Sequence, residues 1–123
     1  MKFLGDVSNI NALLNRADIF FMPSLREGFG IAAVEAMASG LPVVASDIPG
    51  IGDVVGRDGR CGTLVNPHSP GEMAEALANL INNRDNARKM GLLGLKRAAL
   101  YDIENTVDNY LRLYSELLAE RNR

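Results

Sequence analysis

Short apolar runs alternate with stretches of helical periodicity through the first half of the chain. Three runs predict strands, at residues 18–22, 41–46 and 62–65. They are almost continuously apolar, which is typical of strands buried on both faces of a parallel sheet. Between the first two runs, apolar residues recur at helical spacing over residues 29–39, and Gly40 is placed to end that helix. The alternation predicts an α/β fold with a parallel sheet, right-handed crossovers and helices on both faces.

The two ends of the chain differ from this middle part. Near the start, Ser8 is a candidate N-cap for a helix whose apolar positions run from Ile10 to Ala17. After Asn66, the pattern is entirely helical. Ser69 begins a capping box with Pro70 at the first helical position, a second helix is predicted over residues 85–100, and a third starts near Ile103. In that last helix, Arg121 and Arg123 suit the negative end of the helix dipole.

Composition limits the class of protein. The chain has 123 residues, 47% of them hydrophobic, so residues 1–123 are expected to form a single domain. Thirteen basic and 15 acidic residues leave a net charge of −2, which disfavours binding to nucleic acid or to a membrane surface. Cys61 is the only cysteine, and no membrane-spanning run or secretory leader is recognised, so a cytoplasmic location is expected.

The residues with the clearest chemical potential lie between the first two predicted strands. Gly28 and Gly30 flank Phe29 at the start of a helix, where backbone amides and the helix dipole favour an anion or another electron-rich group. Glu27 and Glu35 are eight residues apart. If all eight steps were helical, the rise between them would be about 12 Å. Two carboxylates at this spacing suit two separate sets of vicinal hydroxyls, as a nucleotide sugar carries.

A purely structural interpretation of these residues is also open. The Glu27 carboxylate could do no more than interact favourably with the positive end of the helix dipole, and Glu35 could face solvent. The glycines could serve only to allow the turns of a loop. Other candidate residues favour structural roles: His68 a turn, Cys61 a structural thiol, and Asp53 the cap or first residue of a short helix after Gly52. Tyr110 and Tyr114 lie one turn apart on the last predicted helix. Packing of their rings in a core or an interface is favoured over a role as a platform on which a sugar stacks.

A longer pattern adds to the argument from spacing. It includes an apolar strand ending in Pro-Ser, Glu-Gly-Phe-Gly, a second glutamate after seven intervening residues, and Pro-Val-Val-Ala, at residues 17–24, 27–30, 35–38 and 42–45. This pattern resembles the C-terminal, donor-binding domain of group 1 (family 4) retaining glycosyltransferases, which have the GT-B fold. The resemblance covers nearly the whole chain. It implies a partial, three-layer Rossmann-like sheet with an all-helical C-terminal third.

The resemblance also implies roles for individual residues. Glu27 would face the hydroxyls of the donor sugar and is the expected catalytic residue. Glu35 would bind the ribose hydroxyls. The donor-binding set is completed by the loop residues whose backbone lies at the helix start: Gly28, Phe29, Gly30 and Ile31. The implied ligand is a nucleotide-diphosphate sugar, and neither a metal nor another cofactor is expected.

Parts of the family pattern are missing. The family supplies an arginine and a lysine for the diphosphate from loops after two strands that precede the segment Phe3-Leu4-Gly5, which resembles the family's third strand. Arg26 is more typical of a solvated loop charge than of a replacement. An isolated third strand would lack neighbours. We therefore expect the N-terminal segment to move beside the strand at residues 18–22, or the chain to form a homo-oligomer or take strands from a separate domain. A non-catalytic interaction or scaffold module derived from the same fold is the alternative function.

Overall fold

The computed structural model describes residues 1–121. The predicted role of Arg123 lies outside the described residues. In chain order the elements are α1 (Ile10–Leu14), β1 (Phe20–Met22), α2 (Ile31–Ala38), β2 (Val43–Ser46), α3 (Ile51–Val55), β3 (Gly62–Val65), α4 (Pro70–Asn82), α5 (Arg84–Ala98), a 3-10 turn (Ala99–Tyr101) and α6 (Ile103–Arg121).

The three strands found in residues 1–121 form one parallel sheet in the order β1-β2-β3. Phe21 pairs with Val44, and Val44 pairs with Thr63. Every residue of β2 is buried, as expected for a central strand. The predicted parallel sheet is therefore confirmed, with β1 and β3 at its two edges.

Two hydrophobic clusters cover the two faces of the sheet. Val43 and Ala45 of β2 point to the side that holds α2, α3 and the end of α5. Val44 points to the opposite side, where it packs with residues of α4 and with Met90 of α5. Alternate residues of a strand face opposite sides, so β2 contributes to both clusters. The α/β architecture with helices on both faces is confirmed.

The N-terminal segment differs from the prediction. Residues 1–9 form no strand, and Phe3 and Leu4 are exposed. The expected move of this segment beside β1 is therefore wrong: a strand this short at a chain terminus would gain too few ladder hydrogen bonds to offset the entropy lost on ordering it. The first helix is capped by Asn9, whose side chain accepts from the amide of Ala12, and not by Ser8.

Strand β1 is less buried than the sequence indicated. The sequence predicted a buried strand over residues 18–22, but only Phe20–Met22 are extended, and Phe21 is 40% exposed. Within the described residues, β1 pairs on one side only. Phe20 and Met22 are only half-buried, so no residue of β1 is fully buried in this structure.

The helical C-terminal third is confirmed. The Ser69 hydroxyl accepts from the amide of Glu72, as the capping box predicted, although the Glu72 carboxylate turns to the amide of Asn66 instead of that of Ser69. Asn83 ends α4 and caps α5. α6 has no buried residue, and its apolar stripe is exposed from Ile103 to Leu118. Among residues 1–121 we find no helix with the length and apolar character needed to cross a membrane.

Candidate functional site

The candidate site lies at the carboxyl end of β1, where the chain passes into α2. Open parallel sheets bind ligands at this end of their strands. α2 begins at Ile31, two residues later than predicted, and Gly30 is its N-cap with a φ of 90°. Gly30 has no side chain, and none caps this helix. The positive end of the helix dipole and its first amides therefore face the loop without a protein side chain bound to them.

Two glycine turns pack against each other behind this loop. Gly50, just before α3, also has a positive φ, and a Cβ placed on it would lie 2.6 Å from the carbonyl oxygen of Gly28. A Cβ on Gly30 would lie 3.4 Å from Cγ1 of Ile51. A side chain at Gly50 would push the loop outward, so this glycine allows the close approach that sets the position of residues 27–30.

The sequence-predicted site residues are exposed, with the exception of Gly30. Glu27 is exposed, and its carboxylate accepts from the amide of Gly28 at 3.1 Å. Phe29 is 48% exposed and Ile31 is 65% exposed, whereas Gly30 is buried. Glu35 is exposed on the same face of α2 as Ile31, four residues and about 6 Å further along the helix axis. Glu27 thus lies before the start of α2 and Glu35 lies in its second turn, and both side chains are exposed.

The separation of the glutamates differs from the fully helical value. Residues 27–30 form a loop, so only the four steps from Ile31 to Glu35 are helical. The estimate of about 12 Å for eight helical steps therefore does not apply.

An ion pair lies close to this end of the sheet. Asp47 follows β2, and its carboxylate contacts the guanidinium of Arg57, with each side chain about half exposed. Arg57 lies over Gly52, where a Cβ would overlap the guanidinium. The sequence suggested that Asp53 caps or begins α3. This is wrong, because the helix starts at Ile51 with Gly50 as N-cap.

The remaining candidate residues have the structural roles favoured above. Cys61 is buried, and burial raises the pKa of its thiol although Arg97 opposes the shift. A protonated thiol at neutral pH is a poor nucleophile. His68 is exposed in a turn, where its amide donates to the Asn66 side chain at 2.9 Å. Within residues 1–121, no cluster of three His, Cys, Asp or Glu side chains could hold a metal ion.

The tyrosines of α6 do not pack in a core. The Tyr110 and Tyr114 rings stack with centroids 6.4 Å apart, and both are exposed. The prediction that these two tyrosines pack in a core is therefore wrong for the described residues. Packing against an interface remains a prediction.

Two residues beside the site were missed by sequence reasoning. Tyr101 contacts Phe29, and both Tyr101 and Arg97 bond to the end of α3. A signal was present, because Arg97 continues the inward stripe of Met90 and Leu93 on α5. A charged residue at such a position requires hydrogen-bond acceptors inside the fold.

A sizeable cavity in the described part of the chain lies elsewhere. It has a volume of about 760 Å³ and lies at the amino ends of β1 and β2, between Pro42 and the start of α5. Arg84 and Arg88 line it together with Asp18 and Asp85, so its charges are balanced. This composition favours no particular ligand, and the helix start at Gly30 is the better candidate site.

Comparison with known proteins shows the family of the chain. The family profile described as "Glycosyl transferases group 1" matches residues 1–97. The chain is 42% identical over 104 residues to D-inositol 3-phosphate glycosyltransferase from Nocardia farcinica, covering 85% of this chain and 23% of that protein. The chain thus spans about a quarter of the length of this curated relative.

Solved structures show the same fold. Sucrose-phosphate synthase from Thermosynechococcus elongatus matches with a TM-score of 0.87 and 31% identity, over 97% of this chain and 30% of that one. HepE from Anabaena, in complex with UDP-glucose, matches with a TM-score of 0.86 and 27% identity, over 94% of this chain and 32% of that one. Each match aligns this chain with less than a third of a larger protein.

Proposed function

The chain belongs to the group 1 glycosyltransferases, and from that membership we propose that it is the donor-binding part of an enzyme that transfers a glycosyl group from a nucleotide-diphosphate sugar, with retention of configuration. Residues 1–123 would form a single partial Rossmann-like domain. The structure of HepE with UDP-glucose makes a UDP-sugar the first donor to test. Because this chain corresponds to about a quarter of its relatives, we expect it to bind weakly and to catalyse poorly or not at all when alone.

One observation carries the proposal: the start of α2, which follows β1 at the ligand-binding end of a parallel sheet, has no side-chain cap, and an exposed glutamate precedes it while another lies in its second turn. Uncapped amides and a helix dipole attract the oxygens of a phosphate or sugar. A carboxylate accepts hydrogen bonds from hydroxyl groups and does not itself attract phosphate. The combination favours a ligand with hydroxyl groups on both sides of an anionic centre.

The two glutamates would bind different ends of this ligand. We propose that Glu27 contacts the hydroxyls of the transferred sugar and acts at the reacting end. Glu35, further along α2, would accept from the ribose hydroxyls. The amides of Phe29, Gly30 and Ile31 would contact the sugar or diphosphate between them, with Gly28 giving the loop room to approach.

Isothermal titration with UDP and with UDP-glucose tests these assignments. Replacing Glu35→Gln removes a charge-assisted acceptor and is expected to weaken both ligands about tenfold. Replacing Glu27→Gln is expected to weaken UDP-glucose alone, because UDP lacks the sugar. Glu75→Gln, on the exposed side of α4, is the matched control and should change neither affinity. Equal effects of Glu27→Gln on the two ligands would contradict its assignment to the sugar.

Two surfaces of the described chain support a requirement for further protein. The open side of β1 exposes Phe21, and α6 exposes its apolar stripe along its whole length. We propose that further strands or a separate domain cover them in the working protein, or that a second copy does. Sedimentation equilibrium distinguishes these cases: a strict monomer at all accessible concentrations would exclude the second copy.

The alternative is an interaction or scaffold module that retains the fold without catalysis. The exposed stripe of α6 favours it, because apolar patches of this kind commonly mark protein interfaces. The titration separates the two functions, since a scaffold has no reason to discriminate UDP-glucose from UDP. We also propose a cytoplasmic location, which the single, unpaired Cys61 supports.

A further inference from the structure

The loop that carries Glu27 rests on an aromatic side chain from beyond α5. Phe29 and Tyr101 meet edge to face, with ring centroids 5.6 Å apart and an interplanar angle of 77°. This is a favourable geometry for two aromatic rings. Phe29 is half exposed and Tyr101 is partly buried, so the contact lies beside the candidate site and not in the centre of the core.

The same tyrosine holds one end of α3. Its hydroxyl donates to the carbonyl of Asp53 at 3.2 Å. Arg97 donates from Nε to the carbonyl of Val54 at 2.6 Å and from Nη2 to that of Asp53 at 2.8 Å. These carbonyls lie in the last turn of α3, where backbone acceptors have no partner inside the helix. A helix of five residues needs such external bonds to persist.

The other end of α3 contacts the loop. Gly50 approaches the carbonyl of Gly28, and Ile51 packs against Gly30, as described above. α3 therefore lies between the Arg97–Tyr101 pair and the loop. Tyr101 reaches the loop by two routes, directly through Phe29 and indirectly through α3.

We propose that Tyr101 is a positioning residue for donor binding: it holds the loop from Glu27 to Ile31 at the start of α2 so that the loop amides and the Glu27 carboxylate face the ligand. The inference rests on the proposed function of that loop. Arg97 anchors α3 from behind, whereas Tyr101 alone of the two also touches the loop through Phe29. The ring and the hydroxyl of Tyr101 thus have separable roles.

Two substitutions separate these roles. Tyr101→Phe keeps the ring against Phe29 and loses the bond to Asp53, whereas Tyr101→Leu loses both. The Kd for UDP-glucose is expected to be about two- to tenfold higher for Tyr101→Leu than for Tyr101→Phe, the range that the loss of an aromatic pair supports. Tyr110→Leu, on the exposed face of α6, is the matched control and should leave the Kd unchanged.

A double-mutant cycle separates positioning from general destabilisation. In a Phe29→Leu background the aromatic pair is already gone, and the amide of residue 29 is kept. The step from phenylalanine to leucine at position 101 should then change the Kd by less than about twofold. An equal loss in both backgrounds would assign Tyr101 a merely structural role and overturn the proposal.

Amide NMR spectra without ligand keep this test independent of the proposed function. Tyr101→Leu and Phe29→Leu are each expected to shift and broaden the amide signals from Gly28 to Ile31, whereas Tyr110→Leu leaves them in place. If the loop amides respond but wild-type protein binds no UDP-glucose, the proposed function is wrong while the support of the loop by Tyr101 stands. If UDP-glucose binds and neither variant alters the loop amides or the Kd, the positioning role is wrong.

Discussion

Replacing Gly91 by alanine tests how α5 supports the helix that carries the candidate site. Gly91 is buried where α5 crosses the end of α2, and a Cβ there would overlap the carbonyl oxygen of Gly40. That oxygen is backbone and cannot rotate away. Gly94, one turn later on the same helix, has its nearest neighbours at 3.5 Å, an ordinary van der Waals distance. The same substitution therefore has opposite expected effects at the two positions.

The magnitude follows from two opposing contributions. Alanine in a helix interior is favoured over glycine by about 1 kcal/mol. Overpacking against a fixed neighbour costs about 3 kcal/mol at the upper end of its usual range, so Gly91→Ala should lower the free energy of unfolding by about 2 kcal/mol. Gly94→Ala should raise it by up to about 1 kcal/mol.

Urea denaturation followed by circular dichroism measures both changes, with Gly94→Ala as the matched control. Because α5 positions α2, Gly91→Ala should also shift the amide signals of α2 in the folded protein. A Gly91→Ala variant as stable as Gly94→Ala would refute the close packing of α5 against Gly40.

Two further predictions concern Cys61 and Ser69. Burial raises the pKa of the Cys61 thiol above its ordinary value of 9.0, so the stability that the protonated thiol contributes is complete below pH 9 and is lost as pH rises through the folded-state pKa. Unfolding free energies measured across alkaline pH should therefore fall in the wild type and fall less in Cys61→Ala; identical pH dependences would contradict this. Ser69→Ala removes the N-cap of α4 and should lower the free energy of unfolding, measured by urea denaturation, by about 1 kcal/mol. Ser69→Asp, whose side chain can cap, should lower it by less. Equal losses in the two variants would contradict the role of this cap.

Elements whose ends are marked by capping or turn residues could be predicted from the sequence. β3 begins and ends as expected, because Gly62 precedes a short β-forming run and Asn66-Pro67 stops it. The start of α4 was equally clear from Ser69, Pro70 and Glu72. Local signals of this kind are read within a few residues and depend little on the rest of the fold.

Elements that depend on a neighbour could not be predicted. Phe3 and Leu4 are apolar, but they form no strand, although the outer edge of β1 is unpaired within residues 1–121. The buried pattern of residues 18–22 likewise described a wider sheet than the one observed. Whether a side chain is buried depends on all the elements packed around it. The sequence of one element shows only that its side chains are apolar.

The candidate site was predictable in part. The glutamates and glycines are close in sequence, the resemblance assigned them a site, and all of them except Gly30 are exposed in the fold. The support from Arg97 and Tyr101 comes from more than 40 residues away, through bonds to backbone carbonyls that carry no side-chain signal. The helical spacing of Arg97 with Met90 and Leu93 on α5 was the one signal of it in the sequence.

The most direct test of donor binding is an amide NMR titration of the chain with UDP-glucose to millimolar concentration. We predict that the largest shifts fall on the amides from Glu27 to Ile31 and on Glu35, while those of α6 stay in place. No shift between Glu27 and Glu35 at millimolar UDP-glucose, or shifts confined to the cavity lined by Arg84 and Arg88, would contradict it.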